Sequence, residues 1–113
     1  MSGKGPERGD VFWVRLDPTA GTEVKKTRPG IIVSNNAQNA AGSRVIMAPV
    51  TSSIGKVYSF ETRVAIGGKP GKAMLDQIRA VDKIRLAGYI GRVTPDEMRA
   101  MEEALKLVLD LTV

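Results

Sequence analysis

The 113-residue sequence predicts a mostly β domain with one C-terminal helix, an α+β fold. Short stretches of β-branched and aromatic residues recur along residues 1–93, and glycine or proline separates them. Residues 94–113 instead carry apolar side chains at helical spacing. Together these observations indicate a small, strongly bent sheet or barrel that a terminal helix caps. The length suits a single domain, and residues 1–8 are expected to form a flexible tail.

Six apolar segments form the predicted strands, and each ends at a polar or glycine-containing turn. They span residues 10–16, 31–33, 44–50, 57–66, 72–81 and 88–93. The run at 31–33 has no polar residue, which is typical of a strand buried on both faces. Pro49 indicates an edge or a bulge near the end of the third strand, because proline lacks a ladder donor. The segment 72–81 also fits a helix by its spacing, but the glycine-rich turn at 67–71 before it favours a strand.

Residues 94–113 predict a helix that begins at a capping box. Thr94 at the N-cap, Pro95 at the first helical position and Glu97 three residues after the cap favour such a start. Apolar residues then recur on one face: Met98, Met101, Ala104, Leu105, Leu107, Val108 and Leu111. This face is expected to pack against the sheet, and its width would also allow contact with a partner subunit.

The composition excludes several classes of function. The chain has no cysteine and no histidine, so disulfides, thiolate nucleophiles, cysteine-bound metals and histidine-based hydrolases are ruled out. Its scattered carboxylates predict no metal site, and no cofactor motif is present. No apolar segment approaches the roughly 20 residues that span a bilayer, and no signal-peptide stretch is visible, so a cytoplasmic protein is expected.

The net charge of +5 is unevenly distributed. Residues 1–93 hold 15 Lys and Arg against 7 Asp and Glu, a balance of +8, and residues 94–113 hold 2 against 5, a balance of −3. A basic body suits a polyanion such as nucleic acid, although many small basic domains bind none. Trp13 is expected to pack in the first strand, and the five aromatic residues predict no base-stacking platform.

The first candidate for chemistry is the polar loop at 22–28, between the first two strands. It includes Thr22, Glu23, Lys25 and Arg28, and loops on a rigid sheet often hold functional sites. Pro29 restricts the backbone of Arg28 to extended conformations. This helps to direct a guanidinium that can bind phosphate through two hydrogen bonds. A solvated charged loop is the simpler alternative.

Two further candidates follow later in the chain. Residues 51–53 (TSS) come directly after the third strand, where hydroxyls and amides can bind phosphate oxygens. Asp76, Gln77 and Arg79 lie in the fifth predicted strand, and alternation directs Gln77 and Arg79 to one face and Asp76 to the other. A carboxylate inside a strand needs a partner, for which Arg28 is suitable. A structural ion pair is an equal alternative to catalysis.

Motifs that occur together in one known family are present at residues 9–14 (GDVFWV), 16–19 (LDPT), 21–23 (GTE), 27–29 (TRP), 31–35 (IIVSN), 48–52 (APVTS) and 75–83 (LDQIRAVDK). On these motifs the sequence resembles the MazF/PemK/Kid family of toxins. The motifs stand in the family's order, and the resemblance runs from about residue 9 to the C-terminus. It implies a homodimeric SH3-like small barrel of short, strongly bent antiparallel strands with a C-terminal helix.

The resemblance also implies the activity of an mRNA interferase, a ribosome-independent and sequence-specific endoribonuclease for single-stranded RNA that uses no metal or other cofactor. In the family's chemistry, the RNA 2′-hydroxyl attacks its own phosphorus and leaves a 2′,3′-cyclic phosphate and a 5′-hydroxyl. The implied partner is a cognate antitoxin whose acidic C-terminal tail covers the RNA groove. The alternatives are a non-enzymatic toxin on the same fold and a domain that binds nucleic acid without cutting it.

Residue by residue, the resemblance assigns roles within this chain. Arg28 matches the catalytic arginine and Thr51 the phosphate-binding threonine, while Glu23 and Asp76 match acidic residues, either of which is a candidate general base. The expected substrate-binding residues are Thr22, Lys25, Ser52, Gln77 and Arg79. One branch of the family has an arginine where this chain has Met74 and a histidine where it has Thr22. A mechanism that uses that pair therefore does not transfer.

Overall fold

Seven antiparallel strands form one curled sheet in the computed structural model, which describes residues 5–16 and 27–112. The strands are β1 (Asp10–Arg15), β2 (Thr27–Ile32), β3 (Arg44–Thr51), β4 (Glu61–Ile66), β5 (Lys69–Met74), β6 (Arg79–Asp82) and β7 (Leu86–Arg92). The helices are α1 (Asn36–Ala41) and α2 (Pro95–Leu109), and 3₁₀ turns at Leu75–Gln77 and Lys83–Arg85 flank β6. The predicted mostly β fold with a C-terminal helix is confirmed.

Strand β3 lies at the centre of the sheet and has three neighbours. The strand order is β4-β5-β3-β2-β1-β7, and β6 pairs with residues 44–47 of β3. Residues 50 and 51 of β3 pair instead with β5, so the sheet divides along β3 and curls into a half-barrel. The edge predicted at Pro49 is therefore wrong. The proline is tolerated because it lies between the two paired segments, where β3 changes neighbours.

The strand predicted at 57–66 begins only at Glu61, because the chain before it forms a turn. In that turn the Glu61 N–H donates to the Tyr58 carbonyl and the Tyr58 N–H donates to a Glu61 carboxylate oxygen, both at 2.9 Å. The turn predicted at 67–71 is a two-residue hairpin loop. Gly67 and Gly68 both have positive φ, and Lys69 already pairs with Ile66.

The strand predicted at 72–81 is interrupted. Strand β5 ends at Met74, the 3₁₀ turn follows, and β6 begins at Arg79. The chain turns because β5 and β6 pair with different parts of β3, and Leu75 is fully buried in the turn. Asp76 and Gln77 therefore lie on a turn, where the alternation expected of a strand does not apply.

The core lies on both faces of the sheet. Ile31 and Val33 pack in the cluster that contains the buried residues of α2, whereas Ile32 packs in a second cluster with Val14. The predicted burial of 31–33 on both faces is confirmed. Trp13 differs from the prediction, since its side chain is 45% exposed.

Helix α2 begins with the predicted capping box. The Glu97 N–H donates to the Thr94 hydroxyl at 3.1 Å, and the Thr94 N–H donates to the Glu97 carboxylate at 2.8 Å. The members of the predicted apolar face that pack in the core are Met98, Met101, Ala104, Leu105 and Val108. Leu107 and Leu111 are more than half exposed, so the apolar face is wider than the core that it covers.

The predicted flexible tail is held in place at its last residue. The Arg8 guanidinium donates to the Val33 carbonyl at 3.0 Å and forms a 2.9 Å ion pair with Glu102 of α2. The Arg8 N–H also donates to the Asn36 side chain at 2.7 Å. These contacts join the segment before β1 to both helices, and residues 1–4 lie outside the described residues.

Candidate active site

Arg28 lies on strand β2 and not in the loop where the sequence predicts it. It pairs with Val14 of β1. On the other side of β2, the ladder with β3 pairs Gly30 with Pro49. The same register, continued by two residues, places Arg28 opposite Thr51. Two predicted site residues from different parts of the chain thus come together at the same end of the neighbouring strands β2 and β3.

Two hollows meet at Arg28 and Thr51, which line both of them. The first hollow has a volume of about 710 Å³ and extends toward the β4–β5 hairpin and β7. Its apolar wall consists of Trp13, Pro29, Val50, Ile66, Pro70 and Ile90. Thr27, Ser52 and Lys69 add polar groups. This hollow is therefore an apolar recess with a cationic rim.

The second hollow, of about 410 Å³, extends toward the 3₁₀ turn after β5 and the start of β6. Gln77 supplies an amide and Arg79 a guanidinium. The remaining lining residues are Leu16, Met47, Pro49 and Met74. Members of the two predicted groups at residues 51–53 and 76–79 thus line the same hollow as Arg28.

Both hollows carry positive charge among the described residues that line them. Arg28, Lys69 and Arg79 contribute positive charge, and no carboxylate lines either hollow in the described part of the chain. The Thr51 hydroxyl oxygen accepts a hydrogen bond from the Ser53 N–H at 3.2 Å, which leaves its own proton free to donate. Guanidinium, ammonium and hydroxyl donors around an open groove are suited to binding phosphate oxygens.

A buried ion pair anchors the loop that follows Thr51. The Lys72 ammonium lies 2.8 Å from the Glu61 carboxylate and donates to the Lys56 carbonyl at 2.6 Å. Burial acts to raise the pKa of Glu61, but the hydrogen bonds from Lys72 and the Tyr58 N–H, with the Lys72 charge, hold that pKa below its ordinary value. Lys72 also pairs with Thr51 across the sheet. The ion pair therefore supports the edge of both hollows.

The structure brings together part of the predicted site. The predicted residues that line the hollows are Arg28, Thr51, Ser52, Gln77 and Arg79. Thr22, Glu23 and Lys25 lie outside the described residues. Asp76 is exposed on the 3₁₀ turn and lines neither hollow, and the ion pair expected between Asp76 and Arg28 does not form. Glu23 and Asp76 both stay candidates for the general base.

Sequence reasoning overlooks Trp13, Lys69 and Lys72. Trp13 pairs with Pro29 on one side and Gly88 on the other, and Gly88 has no side chain that could cover the indole. That signal becomes visible only once the strand register is known. Lys72 has the pattern of a surface lysine at the start of a strand, yet the fold buries it.

The described residues contain no group of three or more His, Cys, Asp or Glu side chains that could hold a metal ion. Within the same ranges, no helix is long and apolar enough to cross a membrane.

The chain is similar to known proteins along nearly its whole length. Residues 7–109 match a family model described as PemK-like, MazF-like toxin of type II toxin-antitoxin system. The chain is 40% identical to endoribonuclease MazF9 of Mycobacterium tuberculosis, over 92% of this chain and 96% of the relative. It is 32% identical to endoribonuclease EndoA of Bacillus subtilis, over 93% of this chain and 95% of the relative. A solved endoribonuclease in complex with its cognate antitoxin, from a mycobacterial species, has a TM-score of 0.80 at 28% identity, over 96% of this chain and 98% of that one.

Every residue that lines the two hollows lies inside the range that matches the family model. The similarity in sequence and the similarity in fold point to the same group of proteins. By its sequence and its curled sheet alike, the chain belongs to the PemK-like, MazF-like toxins of type II toxin–antitoxin systems.

Proposed function

We propose that this protein is an mRNA interferase toxin, a ribosome-independent and sequence-specific endoribonuclease that cleaves single-stranded RNA without a metal. The observation that carries the proposal is the position of Arg28 and Thr51 where two cationic hollows meet. The similarity to two proteins named endoribonucleases, at 40% and 32% identity, supports the same activity.

The two hollows suggest how the RNA lies. The phosphate to be cleaved binds at Arg28 and Thr51, and the nucleotides on either side of it occupy the two hollows. Lys69 in the first hollow and Arg79 in the second are placed to bind the flanking phosphates. A single strand suits this path because its bases can turn into the hollows, which a stacked duplex prevents.

In the proposed reaction, the 2′-oxygen attacks the adjacent phosphorus while a general base, Glu23 or Asp76, takes its proton. The bond between phosphorus and the 5′-oxygen breaks with its electron pair, and that oxygen takes a proton from solvent or from Arg28. The products are a 2′,3′-cyclic phosphate and a 5′-hydroxyl. The Arg28 guanidinium stabilises the negative charge that develops on the phosphoryl oxygens, and the Thr51 hydroxyl donates to one of them.

The proposal includes the partners of the protein. A cognate antitoxin with an acidic C-terminal tail would cover the same cationic hollows, and the solved relative with its antitoxin supports such a partner.

We also propose a homodimer, since Leu107, Leu109 and Leu111 expose apolar surface on and after α2. Sedimentation of the purified protein measures its mass and would reject the dimer if only monomer is found. We propose a cytoplasmic location, where the proposed mRNA substrate is found, and cell fractionation tests it.

The decisive experiment incubates the purified protein with a diverse pool of end-labelled RNA in the presence of EDTA and determines the termini of the products. We expect cleavage at one short motif, with cyclic phosphate and 5′-hydroxyl ends. Arg28→Ala should reduce the cleavage rate by about 10²-fold or more, because it removes the stabilising charge at phosphorus. Arg28→Lys keeps the charge but loses the two-pronged hydrogen bonding, so we expect a partial loss.

Arg44→Ala is the matched control, because Arg44 is an exposed arginine that pairs with Asp82 and lines neither hollow. It should cleave at the wild-type rate. If Arg28→Ala cleaves as fast as Arg44→Ala, the active-site assignment is wrong. RNA that is bound tightly but stays intact across the whole pool would favour a nucleic-acid-binding module without enzymatic activity.

A further inference from the structure

Trp13 is the only tryptophan of the chain, and the structure leaves it in the wall of the first hollow. Its side chain is 45% exposed, although it lies in the middle of β1 between strands β2 and β7. Tryptophan is usually largely buried in folded proteins. An indole exposed in the same hollow as a candidate catalytic arginine therefore requires an explanation.

The strand register explains why the indole is uncovered. The residues opposite Trp13 are Pro29 on β2 and Gly88 on β7. Gly88 has no side chain, and even a Cβ atom built there would lie only 3.8 Å from the Trp13 ring. A larger residue at position 88 would cover or displace the indole. The local sequence thus keeps one aromatic surface open toward the hollow.

The surroundings of the indole fit a nucleobase. Ile66, Pro70 and Ile90 line the same hollow with apolar groups, and such groups pack against the faces of a flat ring. Lys69 and Arg28 supply positive charge to the same hollow for the phosphates on either side of that base. Stacking on an aromatic ring is a general mode of binding single-stranded nucleic acid, because every base has a π face.

We propose that Trp13 stacks on the nucleobase of a nucleotide adjacent to the cleaved phosphate. This inference deepens the proposed function and rests on it for the position of the cleaved bond. Stacking holds the base in the first hollow, so the neighbouring phosphate is kept at Arg28 and Thr51. Trp13 is a positioning residue, since it touches the substrate away from the reacting atoms. A single stacking residue is compatible with the sequence-based expectation that the chain has no stacking platform.

The lone tryptophan provides a direct measurement. A 2′-O-methyl oligonucleotide that contains the cleavage motif binds without being cut, and it should quench the Trp13 fluorescence on binding. Replacing one nucleotide at a time by an abasic unit should identify one position, next to the cleaved bond, at which quenching is lost. At that position the affinity should fall by about 5-fold to 150-fold, which corresponds to the contribution of one base stacked on an aromatic side chain.

Variants complete the test. Trp13→Leu should weaken binding of the intact oligonucleotide by a similar factor and should be insensitive to the same abasic position, whereas Trp13→Phe should retain part of the affinity. Tyr89→Leu is the control, because Tyr89 is an exposed aromatic residue of the neighbouring strand that lines neither hollow. The inference is overturned if wild-type quenching survives every abasic substitution, or if folded Trp13→Leu binds as tightly as Tyr89→Leu.

The experiments distinguish failure of the proposed nuclease activity from failure of the proposed role of Trp13. If no RNA is cleaved, the probe is instead a 2′-O-methyl oligonucleotide selected from a random pool by its binding. Position-specific quenching with that probe, lost in its abasic series, would leave base binding by Trp13 standing while the nuclease assignment falls. If RNA is cleaved at Arg28 without any position-specific quenching, the nuclease stands and the role of Trp13 is rejected.

Discussion

Among single residues, Lys72 joins the loop beside the site to strand β4. Its ammonium group contacts the Lys56 carbonyl and the Glu61 carboxylate, and only 11% and 8% of the Lys72 and Glu61 side chains are exposed. Removing one partner of such a buried pair leaves an uncompensated charge and typically costs about 3–5 kcal/mol. Breaking this pair therefore destabilises the chain between Thr51 and β4 by more than the loss of an exposed ion pair would.

The pair makes stability depend on pH in a defined direction. The pKa of Glu61 in the folded protein is lower than its ordinary value of 4.5, because the hydrogen bonds and the Lys72 charge outweigh the effect of burial. The unfolded chain thus binds the proton more readily. The stabilisation is fully present above about pH 4.5 and is lost as the pH falls through the lowered pKa.

Glu61→Gln should lower the free energy of unfolding by about 3 kcal/mol at neutral pH, and the loss should shrink as the medium is acidified. Urea unfolding at a series of pH values measures both effects. Glu103→Gln is the control, because Glu103 is 74% exposed and pairs with Lys106 at 3.1 Å; its loss should stay below about 1 kcal/mol at every pH. Equal losses in the two variants would contradict the argument.

At the scale of elements, sequence patterns predict most of the fold because local physics determines it. The capping box at Thr94 and the buried run at 31–33 depend only on neighbouring residues, and both are confirmed. The interrupted strand at 72–81 and the central position of Pro49 depend on which strands become neighbours. Those features depend on tertiary contacts, which the alternation of apolar and polar residues along the chain does not reveal.

The same division applies to the site. Thr51 and Ser52 can be predicted because they follow a strand, and Arg28 because proline follows it. Trp13 and Lys72 cannot, since the exposure of one and the burial of the other follow from the residues across the sheet. The meeting of the two hollows at Arg28 likewise exists only when β2 and β3 are adjacent.

The close approach of β5 and β3 gives a prediction at this scale. A Cβ atom at Gly71 would lie 3.0 Å from both the Thr51 carbonyl oxygen and the Val50 side chain. We therefore expect Gly71→Ala to displace β3 and β5 relative to each other by a few tenths of an ångström. We expect a loss of about 1–3 kcal/mol in stability. The rate of RNA cleavage by the folded fraction should fall by about 10-fold to 100-fold, because small displacements of catalytic groups are costly.

Gly91→Ala is the matched control for the measurement. Gly91 also lies in a strand, its φ is not positive, and no atom lies within 4 Å of a Cβ built there. Cleavage rates of the two variants are compared after unfolding curves establish the folded fraction. Equal rates in Gly71→Ala and Gly91→Ala would show that the spacing between β5 and β3 does not govern the site.

At the scale of the whole molecule, the hollows carry positive charge that no ion pair compensates within the described ranges. Several arginines and lysines outside the hollows pair with carboxylates, as Arg8 does with Glu102 and Arg92 with Asp10. Among the described residues, Arg28, Lys69 and Arg79 form no ion pair, and all three line the hollows. Arg63 and Lys83 outside the hollows also form no ion pair in this part of the chain, so what distinguishes the hollows is that their three uncompensated cations lie where the proposed RNA binds.

This distribution predicts how salt affects RNA binding. If the three cations each neutralise one phosphate of a single strand, the logarithm of affinity should fall with the logarithm of salt concentration at a slope of about −2. Binding of the 2′-O-methyl oligonucleotide should then weaken roughly 20-fold between about 50 mM and 200 mM salt.

Arg79→Ala should make the slope shallower by about 0.7, since one fewer counterion is released. Arg44→Ala, which removes an exposed arginine already paired with Asp82, should keep the wild-type slope. Fluorescence titrations at several salt concentrations measure these slopes. Identical slopes for the two variants would mean that the RNA follows a path outside the second hollow.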